Sequence, residues 1–251
     1  MDRLKLSAKQ AKFIKSLKIK KFRQQERVFL VEGKKNVQEL LRSNYEIRYL
    51  ICTNVFYEGS LSLKKADQSK ILFASPADLT SIGTLKTNNE CLAVVNFEEK
   101  QSIPDHVDHI FLFDGINDPG NLGTIIRTLD WFGFNHLVCA PETTDHFAPK
   151  VVNTSKGSFF RANIEVTDSV DFIKSSSRTV YLVEMNGAPL SSINQESLSP
   201  SIFIMGSESH GISESIRALG DHSVTIPNFG SAESLNVGIA TGILCYQLRN
   251  C

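Results

Sequence analysis

No two cysteines in this sequence are spaced like a redox or metal motif. The five (Cys52, Cys91, Cys139, Cys245 and Cys251) are odd in number and scattered, with no CxxC and no metal-ligand spacing to the histidines. This argues against a disulfide framework and a zinc module. Reduced thiols, mostly in the core, are expected, and nothing assigns a use to Cys251. Long apolar runs are missing too: none approaches the roughly 20 residues of a membrane span. The basic N-terminal stretch MDRLKLSAKQAKFIKSLKIKKFRQQ has no apolar core followed by a small-residue cleavage site, so it is not read as a secretory signal. A cytoplasmic protein without membrane association is expected. Internal repeats and low-complexity tracts are also absent. Net charge is zero, with 27 Lys/Arg against 27 Asp/Glu.

That zero conceals an asymmetry. Residues 1–100 carry 19 basic and 11 acidic residues, a balance of +8, and residues 101–251 carry 8 and 16, a balance of −8. The basic half is a candidate for polyanion binding. Nine of its Lys/Arg fall within residues 1–23, where Asp2 is the only acid, so a solvated helix face is the weaker alternative.

Apolar spacing predicts a helix from Ser7 to Lys21, strands at VFLVEG (28–33), IRYLICT (47–53), KILFAS (70–75) and CLAVVNF (91–97), and helices at 34–44 and 77–82. Such alternation makes a small α/β domain over residues 1–97. The polar stretch EEKQSIPDHVD (98–108) is the expected linker, leaving 109–251 as a second domain. There, strands are expected at 109–113, 136–140, 162–166, 179–185, 201–206 and 222–227, and helices at 122–132, 149–155, 170–176, 214–218 and 235–248. Near-continuous apolar strands between helices imply a parallel sheet covered on both faces, whose ligands sit beyond the carboxyl ends of the strands.

Three glycine-bearing turns fall at such ends. In DGINDPGNLGTIIRTLDWFGF (114–134), Asn121 is the expected N-cap, leaving amides near Leu122 and Gly123 open to an anion. Arg127, four residues beyond Gly123, either grips a phosphate or pairs with Asp130. GSESHGIS (206–213) is neither GxGxxG nor a GxxxxGK phosphate loop, since Ile212 stands where lysine would be. A dinucleotide or triphosphate site is therefore disfavoured, and a plain strand-to-helix turn stays open. In IPNFGSAESLNVGIATGILCYQL (226–248), Ser234 is the expected N-cap of a helix from Leu235. The cap leaves Asn236 unexplained, and its amide can donate to a ligand oxygen. The small residues Gly238, Ala240 and Gly242 point to close packing on another helix or a twin subunit.

In this order, NDPGNLGTIIRT, IFIMGSESHGIS and IPNFGSAESLNVGIA resemble the three motifs of the SpoU/TrmH family of RNA ribose 2′-O-methyltransferases, within the SPOUT superfamily. FLVEGKKNVQELLRSNYEIRYLICTN resembles the substrate-binding domain that precedes the catalytic one in many members. Asn89-Glu90 stands where members often have Gln-Gly, and Gly238 where many have serine. The resemblance implies a SPOUT parallel-sheet domain with a C-terminal trefoil knot, a homodimer through that domain, and S-adenosylmethionine as cofactor. It implies a structured RNA as partner, ribosomal RNA ahead of transfer RNA, with a transfer-RNA 2′-O-methyltransferase kept as an alternative. By the same analogy Arg127, Asn121, Glu208, Ser234 and Asn236 carry the reaction. Met205, Gly206, Ser207, Glu208, Gly211, Ile226, Pro227, Ser234, Leu235 and Asn236 hold the cofactor. His210 reads as a surface loop residue rather than a base. A catalytically silent RNA-binding member of the fold, and a small-molecule oxidoreductase or nucleotide-binding enzyme, are the competing classes.

Overall fold

Five residues of the run VFLVE are buried along their whole length, which anchors the first of two sheets. The computed structural model of the chain describes residues 3–61, 63, 66–97, 103–104, 106–193, 198–207 and 209–250. It divides into two compact units: residues 1–99 with 145–160, and residues 100–144 with 161–251.

The first unit holds a four-stranded sheet in the order β1 (Val28–Glu32), β4 (Cys91–Asn96), β2 (Ile47–Cys52), β3 (Ile71–Phe73). β4 runs antiparallel to both neighbours, and β2 pairs β3 in parallel. The helix expected over Ser7–Lys21 is two helices, α1 (Ala8–Ser16) and α2 (Lys20–Glu26). A capping box between Ser7 and Gln10 starts α1. Arg23, 3% exposed, explains the break. One guanidinium nitrogen donates to the carbonyls of Leu17 at 2.8 Å and Lys18 at 2.9 Å. A continuous helix would have committed those carbonyls to amides four residues on. The other terminal nitrogen bonds the Asp145 carboxylate at 2.5 Å.

Asp145 begins the stretch that sequence reading left with the second half; its contacts put residues 145–160 in the first unit. Phe147 stacks on Phe97 with ring centroids 4.0 Å apart, and Phe147 and Phe159 both lie against Phe29. The Asn36 amide donates to the Asn153 side chain at 3.3 Å. Helices α3 (Lys34–Leu40), α4 (Asn54–Glu58) and α5 (Pro76–Ile82) and a 3-10 turn (Gln68–Lys70) complete the described elements of residues 3–97. Of the expected linker, 98–102 and 105 lie outside the described residues.

The second unit is built on six parallel strands in the order β10 (His222–Thr225), β8 (Thr179–Pro189), β9 (Ser201–Gly206), β5 (His109–Asp114), β6 (His136–Cys139), β7 (Asn163–Val166). This is the parallel sheet expected from the apolar strands. Residues such as Ile110, Leu112, Val180, Ile202 and Ile204 pack with Ile173 and Ile216, which come from α8 (Ser169–Ser175) and α9 (Glu214–Arg217). Helix α6 (Pro119–Trp131) packs on α10 (Val237–Asn250); α7 (Pro149–Thr154) belongs to the first unit. The small residues of α10 serve that contact: a β-carbon on Gly238 would come within 3.1 Å of the Thr124 methyl. Among the described residues no helix is long and apolar enough to cross a membrane.

Candidate active site

The start of α6 differs from expectation. Asp118, not Asn121, is the N-cap: its side chain accepts from the amides of Gly120 and Asn121. Pro119 takes the first helical position, where the missing N–H costs nothing. The Leu122 amide bonds back to the Asp118 carbonyl at 3.1 Å. A carboxylate therefore already answers the amides at this helix start, so it is not an open anion site. Asn121 sits inside the first turn with its side-chain oxygen accepting from Asn236 Nδ2 at 3.0 Å.

Asn236 also displaces Ser234 as the cap of α10. Its Oδ1 accepts from the amides of Gly238 at 3.0 Å and Ile239 at 3.3 Å, and the helix starts at Val237. The oxygen caps one helix while the nitrogen grips the side chain of another, so two of the three motifs are fixed to each other. Ser234 is exposed and free of capping duty.

Arg127 is exposed and makes no hydrogen bond or ion pair among the described residues. The alternative partner, Asp130, is held instead by Arg161, whose Nε lies 3.0 and 3.1 Å from the two carboxylate oxygens and whose Nη2 lies 2.7 Å from one of them. That forked pair fixes the carboxylate and removes the ion-pair account of Arg127.

A cleft of about 470 Å³ opens at the carboxyl ends of β8, β9 and β10. Eight of the predicted cofactor residues line it: Met205, Gly206, Ser207, Gly211, Ile226, Pro227, Ser234 and Leu235. Asn121, Arg127 and Asn236 are not among the lining residues. Glu208 lies outside the described residues, as does Cys251. Reciprocal backbone bonds of 3.1 and 2.9 Å between Ser207 and Gly211 fold the motif into a tight loop. Glycine is required at 206, where a β-carbon would stand 2.1 Å from the Gly211 carbonyl carbon. His210 is exposed, its Nδ1 2.7 Å from the Ser209 hydroxyl.

Sequence reading missed the wall supplied by β8. Val183, Glu184, Met185 and Asn186 line the cleft together with Arg217, Thr225 and Phe229. Glu184 accepts from the Arg217 guanidinium and, at 2.8 Å, from the Ser223 hydroxyl. An acid inside the otherwise apolar run TVYLVEM (179–185) was the available signal. No group of three or more His, Cys, Asp or Glu side chains that could hold a metal ion occurs among the described residues. Cys52, Cys91, Cys139 and Cys245 are free and buried. Burial pushes the Cys52 thiol up to about 11 and those of Cys139 and Cys245 to about 12, so none is a ready nucleophile.

Comparison with known proteins bears on this arrangement. A family model described as the SpoU rRNA Methylase family matches residues 108–246, more than half of the chain. The chain belongs to the SpoU family. In this SpoU member the matched span contains the whole cleft and both asparagines. A second model, the MRM3-like substrate binding domain, matches residues 8–93. Among relatives, the 23S rRNA (guanosine(2553)-2'-O)-methyltransferase RlmP of Bacillus subtilis is 32% identical over 240 residues, 94% of each chain. The AdoMet-bound rRNA methyltransferase from Sinorhizobium meliloti matches with a TM-score of 0.87 and 28% identity, covering 98% of this chain and 96% of that one. The SpoU methyltransferase AviRb from Streptomyces viridochromogenes, in complex with AdoMet, matches at 0.84 and 25% identity over 97% of both chains.

Proposed function

We propose that this SpoU family protein transfers a methyl group from S-adenosylmethionine to a ribose 2′-OH of ribosomal RNA. The observation that carries the reading is the Asn236–Asn121 hydrogen bond of 3.0 Å, which fixes the α6 motif to the α10 motif while the loop leading into α10 lines the cleft. Family relatives named as rRNA 2′-O-methyltransferases support the choice of RNA.

The residues present fit the cofactor. The cleft volume is within the range of about 300–1,000 Å³ typical of small-molecule sites. Apolar Val183, Val237 and Ala240 lie beside polar backbone at the glycine-dependent loop, and the Glu184–Arg217 pair sets a polar edge to the cleft. When bound, S-adenosylmethionine supplies an electrophilic methyl group. Backbone around Met205, Gly206, Ile226 and Leu235 would hold the adenosine and methionine parts, with Ser234 on the same wall. Asn121 and Asn236 form a preset amide pair that orients the ribose. Arg127 grips an RNA phosphate with paired hydrogen bonds. A guanidinium is a poor proton acceptor, so its share in loss of the 2′-OH proton is electrostatic, favouring the developing alkoxide.

The finer architecture follows from the same reading. The C-terminal region forms a trefoil knot. The protein is a homodimer through α10, where Ile239, Ile243 and Tyr246 present an exposed apolar stripe at helical spacing. Arg127, which does not line the cleft of its own chain, serves the cleft of the twin subunit. Residues 1–97 bind RNA, using the exposed lysines of α1 and α2. The protein works in the cytoplasm, on ribosomal RNA.

Two measurements test the reading together. Calorimetry is expected to give heat with S-adenosylmethionine and none with NAD or ATP. Mapping 2′-O-methyl groups in ribosomal RNA with and without the gene is expected to show a position that loses its methyl. Binding of NAD or ATP in place of S-adenosylmethionine would overturn it.

A further inference from the structure

We infer that Phe229 is the platform on which a base of the substrate RNA stacks, which makes it an RNA-binding residue of the methyl-transfer site; the inference rests on the methyltransferase reading above. Phe229 is 97% exposed, more than any other exposed large apolar side chain among the described residues. An aromatic ring held in water gives up the burial that normally explains a phenylalanine.

The exposure is built into the loop. Asn228, its neighbour, accepts from the Gly230 amide at 2.8 Å and donates to the Ala232 carbonyl at 2.8 Å. The backbone is therefore pinned on both sides of the ring. The ring lies on the wall of the cleft that includes Ser234 and Leu235, just beyond the carboxyl end of β10, the side on which parallel sheets bind ligands.

Three occupants compete for this ring. A ligand seated inside the cleft covers at most its inner side, and a side chain this exposed belongs to the mouth. A second copy of the chain is served by the α10 stripe, whose exposed apolar residues recur at helical spacing. Along the chain Phe229 is flanked by Asn228, Gly230 and Ser231, which are exposed and polar or small; the other exposed large apolar side chains of this cleft are Met185 and Leu235. A flat ring with a polar or small flank at the mouth of a cleft lacks the continuous apolar surround of a protein interface core. It matches the π-face of an unstacked base, which RNA-binding proteins capture on aromatic side chains.

The test uses the full chain, S-adenosylmethionine, and unmethylated large-subunit ribosomal RNA made by in vitro transcription. Phe229→Ala is expected to raise the KM for RNA by about tenfold to a hundredfold, the range of one lost base–aromatic stack. Its sedimentation is expected to stay as in the unsubstituted protein, its affinity for S-adenosylmethionine to fall by a much smaller factor than the KM for RNA rises, and Phe229→Trp to keep the low KM. The chain has a single tryptophan, Trp131, so the double variant Trp131→Phe/Phe229→Trp carries its only indole at the loop. RNA is expected to quench that fluorescence more strongly than S-adenosylmethionine alone does. An unchanged KM in Phe229→Ala overturns the proposal. So does a matching loss of cofactor affinity, which would make the ring a cofactor lid, or a lower sedimentation coefficient, which would make it an interface residue. An unsubstituted protein that binds no S-adenosylmethionine and methylates no RNA would sink the methyltransferase reading itself, and the proposal with it.

Discussion

Arg23 and Arg127, one in each unit, meet opposite surroundings. Arg23 is buried and spends its two terminal nitrogens inside the chain, on two carbonyls that end α1 and on the Asp145 carboxylate. Arg127 is exposed on α6, and the acid within its reach is taken by Arg161. The difference lies in how the acids are allotted. An internal carboxylate turns an arginine into architecture, because a buried charge must be paired. Diverting the carboxylate to another cation leaves the guanidinium for an anion from outside.

Substitution can break that contrast. Arg23→Ala strands the Asp145 carboxylate and two backbone carbonyls, and is expected to cost about 3–5 kcal/mol of stability, read by urea denaturation. A cost below about 1 kcal/mol would mean the pair does not hold the first unit together. Arg127→Ala is expected to leave stability within about 0.5 kcal/mol and cofactor affinity unchanged, while kcat falls by about 10²–10³-fold. Loss of melting temperature alongside activity would make the two arginines alike. The smallest effect sharpens the contrast for lysines. Lys12, Lys15 and Lys18 are exposed, so Lys12→Ala/Lys15→Ala/Lys18→Ala should weaken RNA binding and flatten the slope of log Kd against log salt by about two. An unchanged slope would remove α1 from the RNA surface. Deleting residues 1–23 is a poorer test, because it removes Arg23 and confounds binding with unfolding.

The strands, and the parallel sheet of the second unit, were legible because each apolar run, bounded by turn residues, reports its own burial. SIFIMG forms a strand over the residues expected. The caps were legible only as a choice among neighbours. Asp118 and Asn121 both carry capping side chains, and Pro119 at the first helical position settles the choice; that signal was overlooked. Ser234 and Asn236 are likewise two residues apart, and the longer amide both caps and bridges. The break after α1 depends on Asp145, more than a hundred residues away, and no local pattern encodes it. The β8 side of the cleft was missed for a related reason. Sequence reading ended that strand at Met185, whereas it continues to Pro189 against β10. Gly187 permits this, since a β-carbon there would meet the Ser223–Val224 backbone at 2.6 Å.

The allocation of residues 145–160 to the first unit sets an order of events during synthesis. Phe29 and Phe97 emerge from the ribosome well before Phe147 and Phe159, the rings that lie against them, and Arg23 emerges long before Asp145. Domains made first usually fold first. Here the earlier unit has to wait, with part of its aromatic core uncovered, until residues 100–144 of the later unit have been translated. A nascent chain paused in that interval presents a sticky surface, so this stretch of translation is where chaperone protection matters most.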